Sequence, residues 1–185
     1  MTTSREPVRL ALRKLWSDHV IWTRGYIIAA AAGTPDADAA AGRLLANQED
    51  IGAAVAGFYG KDAGDRLTEL LKEHILIAVD LVAAAKSGDQ PAFVTHDARW
   101  TRNIETIARF LAGANPHWNE RDVLDLLALH LKLTKDETVA RITGDWAADV
   151  KAFDDIFTEI MVLADAIHDG LATQFPDRFA TPVAA

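Results

Sequence analysis

One phrase occurs three times along this chain and constrains its fold more than any other feature. Leu12-Arg-Lys-Leu15-Trp16-Ser-Asp-His19, Leu67-Thr-Glu-Leu70-Leu71-Lys-Glu-His74 and Val123-Leu-Asp-Leu126-Leu127-Ala-Leu-His130 are each apolar at the first, fourth and fifth positions and end in histidine at the eighth. Apolar residues three and four apart share one face of a helix. Each histidine therefore ends an apolar helical stripe, and the three stand at nearly equal intervals along the chain. A chain written this way is expected to fold as an all-α, up-and-down bundle of tandem helical hairpins.

The remaining sequence agrees with that class, because apolar letters recur at three and four throughout and no segment alternates at period two. Helices are predicted over 7–32, 35–59, 62–86, 91–112 and 119–133. The sixth is predicted to run from a capping box at Thr134-Lys-Asp-Glu137 to 175, bent at Gly144. Gly33, Gly60 and Ser87-Gly88-Asp89 are the predicted breaks, and Thr34 with Pro35 reads as the start of the second helix. Helix 62–86 is apolar almost all round from Ile75 to Ala85 and is expected to be central. Residues 180–185 read as a frayed tail. Trp16, Trp22, Trp100 and Trp146 fall on the predicted core stripes.

Composition narrows the function. At 185 residues, half of them apolar, one domain with one sizeable core is expected. A net charge of −8 argues against nucleic acid as a partner. No apolar run reaches the roughly 20 residues of a membrane span, the first residues carry no secretory pattern, and a cytoplasmic chain with no membrane partner is expected. Self-association into a homo-oligomer stays open. The absence of cysteine leaves only His, Asp, Glu, Asn and water as metal ligands. Phosphate-loop, nucleophile-elbow, H-E-x-x-H and EF-hand patterns are all missing.

The hairpins overlay on one another with a one-residue shift, Gly33 on Gly88, Pro35 on Pro91, Arg43 on Arg99, Asn47 on Asn103 and Glu49 on Glu105. Helices 119–133 and onward read as a third, degenerate copy, in which Trp146-Ala-Ala-Asp149 resembles Trp100-Thr-Arg-Asn103, and whether His130 joins the common level stays open. Counting from the turns, His19 should face Asn47, and His74 should face Asn103, in one polar layer of the core. Buried against an amide and apolar neighbours, these histidines should have pKa values below the usual 6.5 or so.

That layer has three readings. In the first it belongs to a binding protein and holds a divalent transition metal (zinc, iron or manganese) or a small ligand. His19 and His74 then give nitrogen, Glu49, Asp50 and Glu73 are the carboxylates, and Asn47 and Asn103, with Trp22 and Arg24 nearby, orient them. In the second the same site works as a metal-dependent hydrolase or an oxygen-activating iron enzyme. In the third the layer only sets helix register. Glu73 and Asp80 share a face of helix 62–86 and are expected to pair with Arg24, Arg99 or Arg102. Asp165-Ala-Ile-His168, the nearest thing to the Glu-x-x-His of di-iron bundles, is expected on a solvated face.

The phrases Trp16-Ser-Asp-His19-Val-Ile-Trp22-Thr-Arg24, Asn47-Gln-Glu-Asp50-Ile-Gly52 and Leu70-Leu-Lys-Glu-His74-Ile75, with Gln174-Phe-Pro near the end, look like a family of small bacterial all-helical proteins of unassigned function. The resemblance spans about Leu10 to Phe179. It implies a helical fold and no particular mechanism.

Overall fold

The computed structural model describes residues 5–179. Its elements are α1 (Arg5–Ala32), α2 (Ala37–Tyr59), α3 (Lys61–Ser87), α4 (Gln90–Ala114), α5 (Glu120–Thr143), α6 (Trp146–Gln174) and a single turn, α7 (Pro176–Phe179). No strand occurs among the described residues. The tail at 180–185 lies outside them.

Short connections make each successive pair antiparallel. Every long helix packs on its neighbours in the chain, α6 comes back against α1, and α1, α3 and α5 also meet across the middle. The bundle is thus a ring of six helices in which the three histidine-bearing helices converge inward. No single helix is central. α3 has an outer face like the others, where Leu76 is 51% exposed. Its long apolar run is explained by contact with α2 on one side, α4 on the other, and α1 and α5 in front.

The turns follow backbone chemistry. Gly33, Gly88 and Gly144 each take the left-handed, positive-φ conformation that ends a helix. Asp89 caps α4 through Ala92 N at 3.0 Å, Asn119 caps α5 through Arg121 N at 2.9 Å, and Asp145 caps α6 through Ala148 N at 3.1 Å. Thr34 does not cap α2. Its hydroxyl bonds to Asp36 Oδ1 at 2.5 Å, and the helix begins at Ala37 behind Asp36.

The largest departure from expectation is at Thr134–Glu137, where no helix boundary forms. Thr134 Oγ1 instead donates to His130 O at 2.9 Å, the back-bond a mid-helix threonine can make. Glu137 points into the protein and is 1% exposed. Nothing in that stretch readily adopts the left-handed turn, so α5 continues to Gly144, the next residue that does.

One apolar cluster fills the ring from Leu12 and Trp16 through Ile104, Ile107 and Leu127 to Ile160 and Leu171. Burying each such side chain is worth roughly 1.5–3 kcal/mol. A smaller cluster of Tyr26, Ile27, Ala40 and Val82 lies beside it toward the Gly33 turn. α2 and α3 approach most closely where Gly52 faces Gly64. A Cβ on Gly64 would lie 2.6 Å from Gly52 O and 2.5 Å from Ala56 Cβ. No helix is long and apolar enough to cross a membrane among the described residues.

Candidate functional site

With α5 unbroken, the third hairpin has the same dimensions as the other two. His19, His74 and His130 are 3%, 5% and 4% exposed and line the same two internal cavities. The ring centres of His19 and His130 are 5.5 Å apart, while His74 rests on Trp100 at 5.0 Å and His19 meets the edge of Trp16 at 5.7 Å. His130, left open by the sequence, therefore joins the layer.

Each imidazole is held by a residue from the second helix of its own hairpin, at the same sequence separation in all three. His74 Nδ1 lies 2.9 Å from Asn103 Oδ1, His130 Nδ1 3.0 Å from Glu159 Oε2, and His19 Nδ1 3.3 Å from Gln48 Nε2. An amide carbonyl and a carboxylate accept, so both rings carry a proton on Nδ1, and the neutral His74 ring keeps a lone pair on Nε2. Gln48 offers an N–H instead, which assigns the opposite tautomer to His19. Gln48 is also bound to Leu44 O at 2.8 Å and Asn47 Oδ1 at 3.2 Å, which fixes its amide.

Asn47 is not the partner of His19. It is fully buried and donates to Leu15 O at 3.0 Å, as Asn103 donates to Leu70 O at 3.1 Å. Each of these carbonyls stands one helical turn before a histidine, so each asparagine ties its helix to the histidine helix just ahead of the ring. In α6 the sequence alignment of Trp146 with Trp100 fails, since Trp146 is 58% exposed beside Arg141 and Trp100 is 2% exposed.

Burial keeps His19 and His74 uncharged. Desolvation, reinforced by His130, lowers His74 to about 3, and desolvation with His130 and His74 lowers His19 well below the ordinary value. Three buried polar atoms beside the rings have no partner: Gln48 Oε1, Glu159 Oε1 and Trp100 Nε1. An unpaired buried polar atom costs about 1–3 kcal/mol, and native interiors leave few of them.

The rings separate two cavities of unlike character. On the side where α1, α3 and α5 begin and α2, α4 and α6 end is one of about 30 Å³, lined by Leu, Ile and Val around the three rings and Trp16. On the side of the glycine turns is one of about 20 Å³ that adds the hydroxyl residues Thr23, Thr134 and Thr138. Beyond it lies a buried charge cluster. Arg24 reaches Glu137 at 2.5 Å and Asp149 at 2.9 Å, Arg141 reaches Asp149 at 3.3 Å, and the Arg24 guanidinium covers the Phe153 ring at 4.7 Å. Burial raises the Glu137 carboxyl to about 7 against the opposing pull of Arg24.

The carboxylates expected in the layer lie on the outer surface. Glu49 pairs with Lys72 at 2.5 Å, Asp50 with Arg43 at 3.6 Å, and Glu73 is exposed. They sit beside the inward stripe rather than on it, and a helix turns about 100° per residue. Asp80 shares the outer face of Glu73 and lies 3.6 Å from Arg99, so Arg24 serves neither. Trp22 is 37% exposed with Arg43 5.9 Å from its ring centre. Asp165 binds Arg13 at 2.6 Å, whereas His168 is only 2% exposed, beside the Phe179 ring, and not on a solvated face.

Gln48, Glu137, Asp149 and Glu159 are the residues that sequence reasoning missed. Taking Gly144 as the third turn would have found Glu159, which stands as far beyond it as Asn103 stands beyond Gly88. Among the described residues no group of three His, Asp or Glu side chains is arranged to hold a metal ion. Compared with family models, with curated proteins and with solved structures, the chain gives no match.

Proposed function

We propose that this protein is a non-catalytic binding protein whose three-histidine layer takes a single transition-metal ion with its bound water, and that the three hairpins are copies of one unit. The observation that carries this is the company the imidazoles keep. Three buried rings from three hairpins face empty space of about 20 and 30 Å³, and the residues that hold or pack on them, Gln48, Glu159 and Trp100, each keep one unpartnered buried polar atom. One water needs at least roughly 10–15 Å³, and an organic ligand usually needs roughly 300 Å³ or more. Size thus favours an ion and water over a metabolite, and a site enclosed by buried side chains favours retention over turnover.

Two of the three tautomers suit the role, and His19, whose Nδ1 accepts from Gln48, ligates only once that hydrogen bond opens or its proton leaves Nε2. His74 and His130 each donate Nδ1–H to an acceptor, which is how ligating histidines are commonly oriented with Nε2 toward a metal. Two imidazoles on one tetrahedral ion, at metal–nitrogen distances near 2.1 Å, have ring centres about 5 Å apart. The 5.5 Å between His19 and His130 is close to that value. Loading requires His74 to draw in toward the other two. Glu159 replaces Glu49, Asp50 and Glu73 as the carboxylate of the site and acts through His130.

The test is elemental analysis of untagged protein, followed by titration with zinc, cobalt(II), nickel and iron(II). About one ion per chain, a raised melting temperature and loss of both on His130→Asn are expected. Sub-stoichiometric metal with no change in melting temperature would remove the proposal. A structural layer that only sets helix register is the second reading, favoured by the partner each ring already has in its own hairpin. Under it, His19→Leu/His74→Leu yields a folded bundle at least as stable as the parent.

A further inference from the structure

The two cavities differ in what they can hold, and the difference does not depend on whether a metal binds. A buried water persists where it finds two to four hydrogen-bonding partners, whereas apolar cavities stay empty and accept apolar guests. The turn-side cavity has Thr23, Thr134 and Thr138 in addition to the imidazoles. The opposite cavity has the same three rings and the Trp16 indole, and its other walls are Leu, Ile and Val. A water bonded to an imidazole nitrogen therefore gains further hydroxyl partners on one side and hydrocarbon on the other. Every residue around the apolar cavity is buried, Ile160 entirely and Ile51, Ile107 and Leu163 to within 2%.

We propose that this apolar cavity is a binding site for a small uncharged gas molecule, of the class of dioxygen, nitric oxide or xenon, held against the histidine layer. Its 30 Å³ is room for two or three water-sized atoms, enough for a diatomic molecule and too little for benzene, which occupies engineered apolar cavities of about 150 Å³. The guest is recognised by dispersion with the surrounding side chains, which a void forfeits and a polarisable guest restores.

The experiment is methyl-detected NMR of the metal-free full chain under dioxygen, with dinitrogen at equal pressure as reference, and then under xenon. Paramagnetic dioxygen is expected to relax the methyl groups of Ile51, Ile107, Ile160 and Leu163 several-fold faster than those of Ile104. Ile104 is equally buried and borders neither cavity. Xenon is expected to shift the same four saturably. Uniform relaxation across all buried methyls would overturn the proposal, as would water-to-methyl cross-relaxation showing the cavity hydrated. Ile160→Phe, which fills the space, should abolish the dioxygen effect, and its survival in a folded variant would equally overturn the site. The wild-type comparison decides the matter even where that variant does not fold.

Discussion

Acid should destabilise this protein through His19 and His74, and replacing both by asparagine should remove that sensitivity. Each histidine has a folded pKa below its unfolded value of about 6.5, so the unfolded chain gains protons first as pH falls. The stability is therefore present above pH 6.5 or so and is lost as pH drops from there toward the folded value, about 3 for His74. A ring that stays neutral in the fold at pH 5.5 costs about ten-fold in the folding equilibrium relative to pH 7.5, or roughly 1–2 kcal/mol, and the pair roughly 3 kcal/mol. Glu137 works the other way. Its folded pKa of about 7 lies above the usual carboxylate value, so the folded protein takes up the proton first and gains roughly 2 kcal/mol over the same interval. The two effects nearly cancel in the wild type, whose net loss between pH 7.5 and 5.5 should be only about 1 kcal/mol. The variant keeps Glu137 and loses the histidine contribution, so it should become more stable by about 2 kcal/mol on the same change. Urea unfolding of both proteins at the two pH values measures the difference, and equal pH responses would refute a buried, neutral pair.

Arg24→Met should cost about 3 kcal/mol or more at pH 8, because it strands Glu137 and half of the Asp149 pairing in the interior. The loss should shrink at pH 5.5, where Glu137 is protonated, and an equal loss in urea at both values would rule out charge as the cause. Gly64→Ala should cost about 1–3 kcal/mol, since its Cβ meets the backbone of Gly52 and the side chain of Ala56 where α2 and α3 cross. A melting temperature unchanged from wild type would show that the helices separate freely. Gly170→Ala drives a methyl into Trp118 Nε1, whose indole is tied to Ala166 O at 3.2 Å. Red-shifted tryptophan emission together with lower stability is expected, and an unchanged spectrum would contradict the packing at that corner.

Much of the architecture was legible in the residues alone. Apolar spacing is a property of the chain itself, and so are the left-handed turns at Gly33 and Gly88, because only glycine takes that conformation readily, whereas Gly144 reads as a bend within a helix. The inward aim of His19 and His74 followed from the same spacing, as did the Asn103 partner of His74 across its hairpin. What the residues left undecided was settled by packing. Thr134-Lys-Asp-Glu137 carries a good start signal, yet a capping box is worth only about 1 kcal/mol and yields to a continuous helix that buries both of its flanks. Once α5 ran on to Gly144, His130 came level with the other two and Glu159 came opposite it. Whether His19 meets Asn47 or Gln48 is a matter of about 100° of helix rotation, and local sequence does not specify rotation to that precision. The same is true of Glu49, Asp50 and Glu73, each beside the inward stripe and each in solvent. The distant meeting of Arg24 with Glu137 and Asp149, far apart in the chain, exists only because α6 closes the ring against α1. Periodicity along the chain specifies which face of a helix is buried, and closure of the bundle decides which buried groups meet.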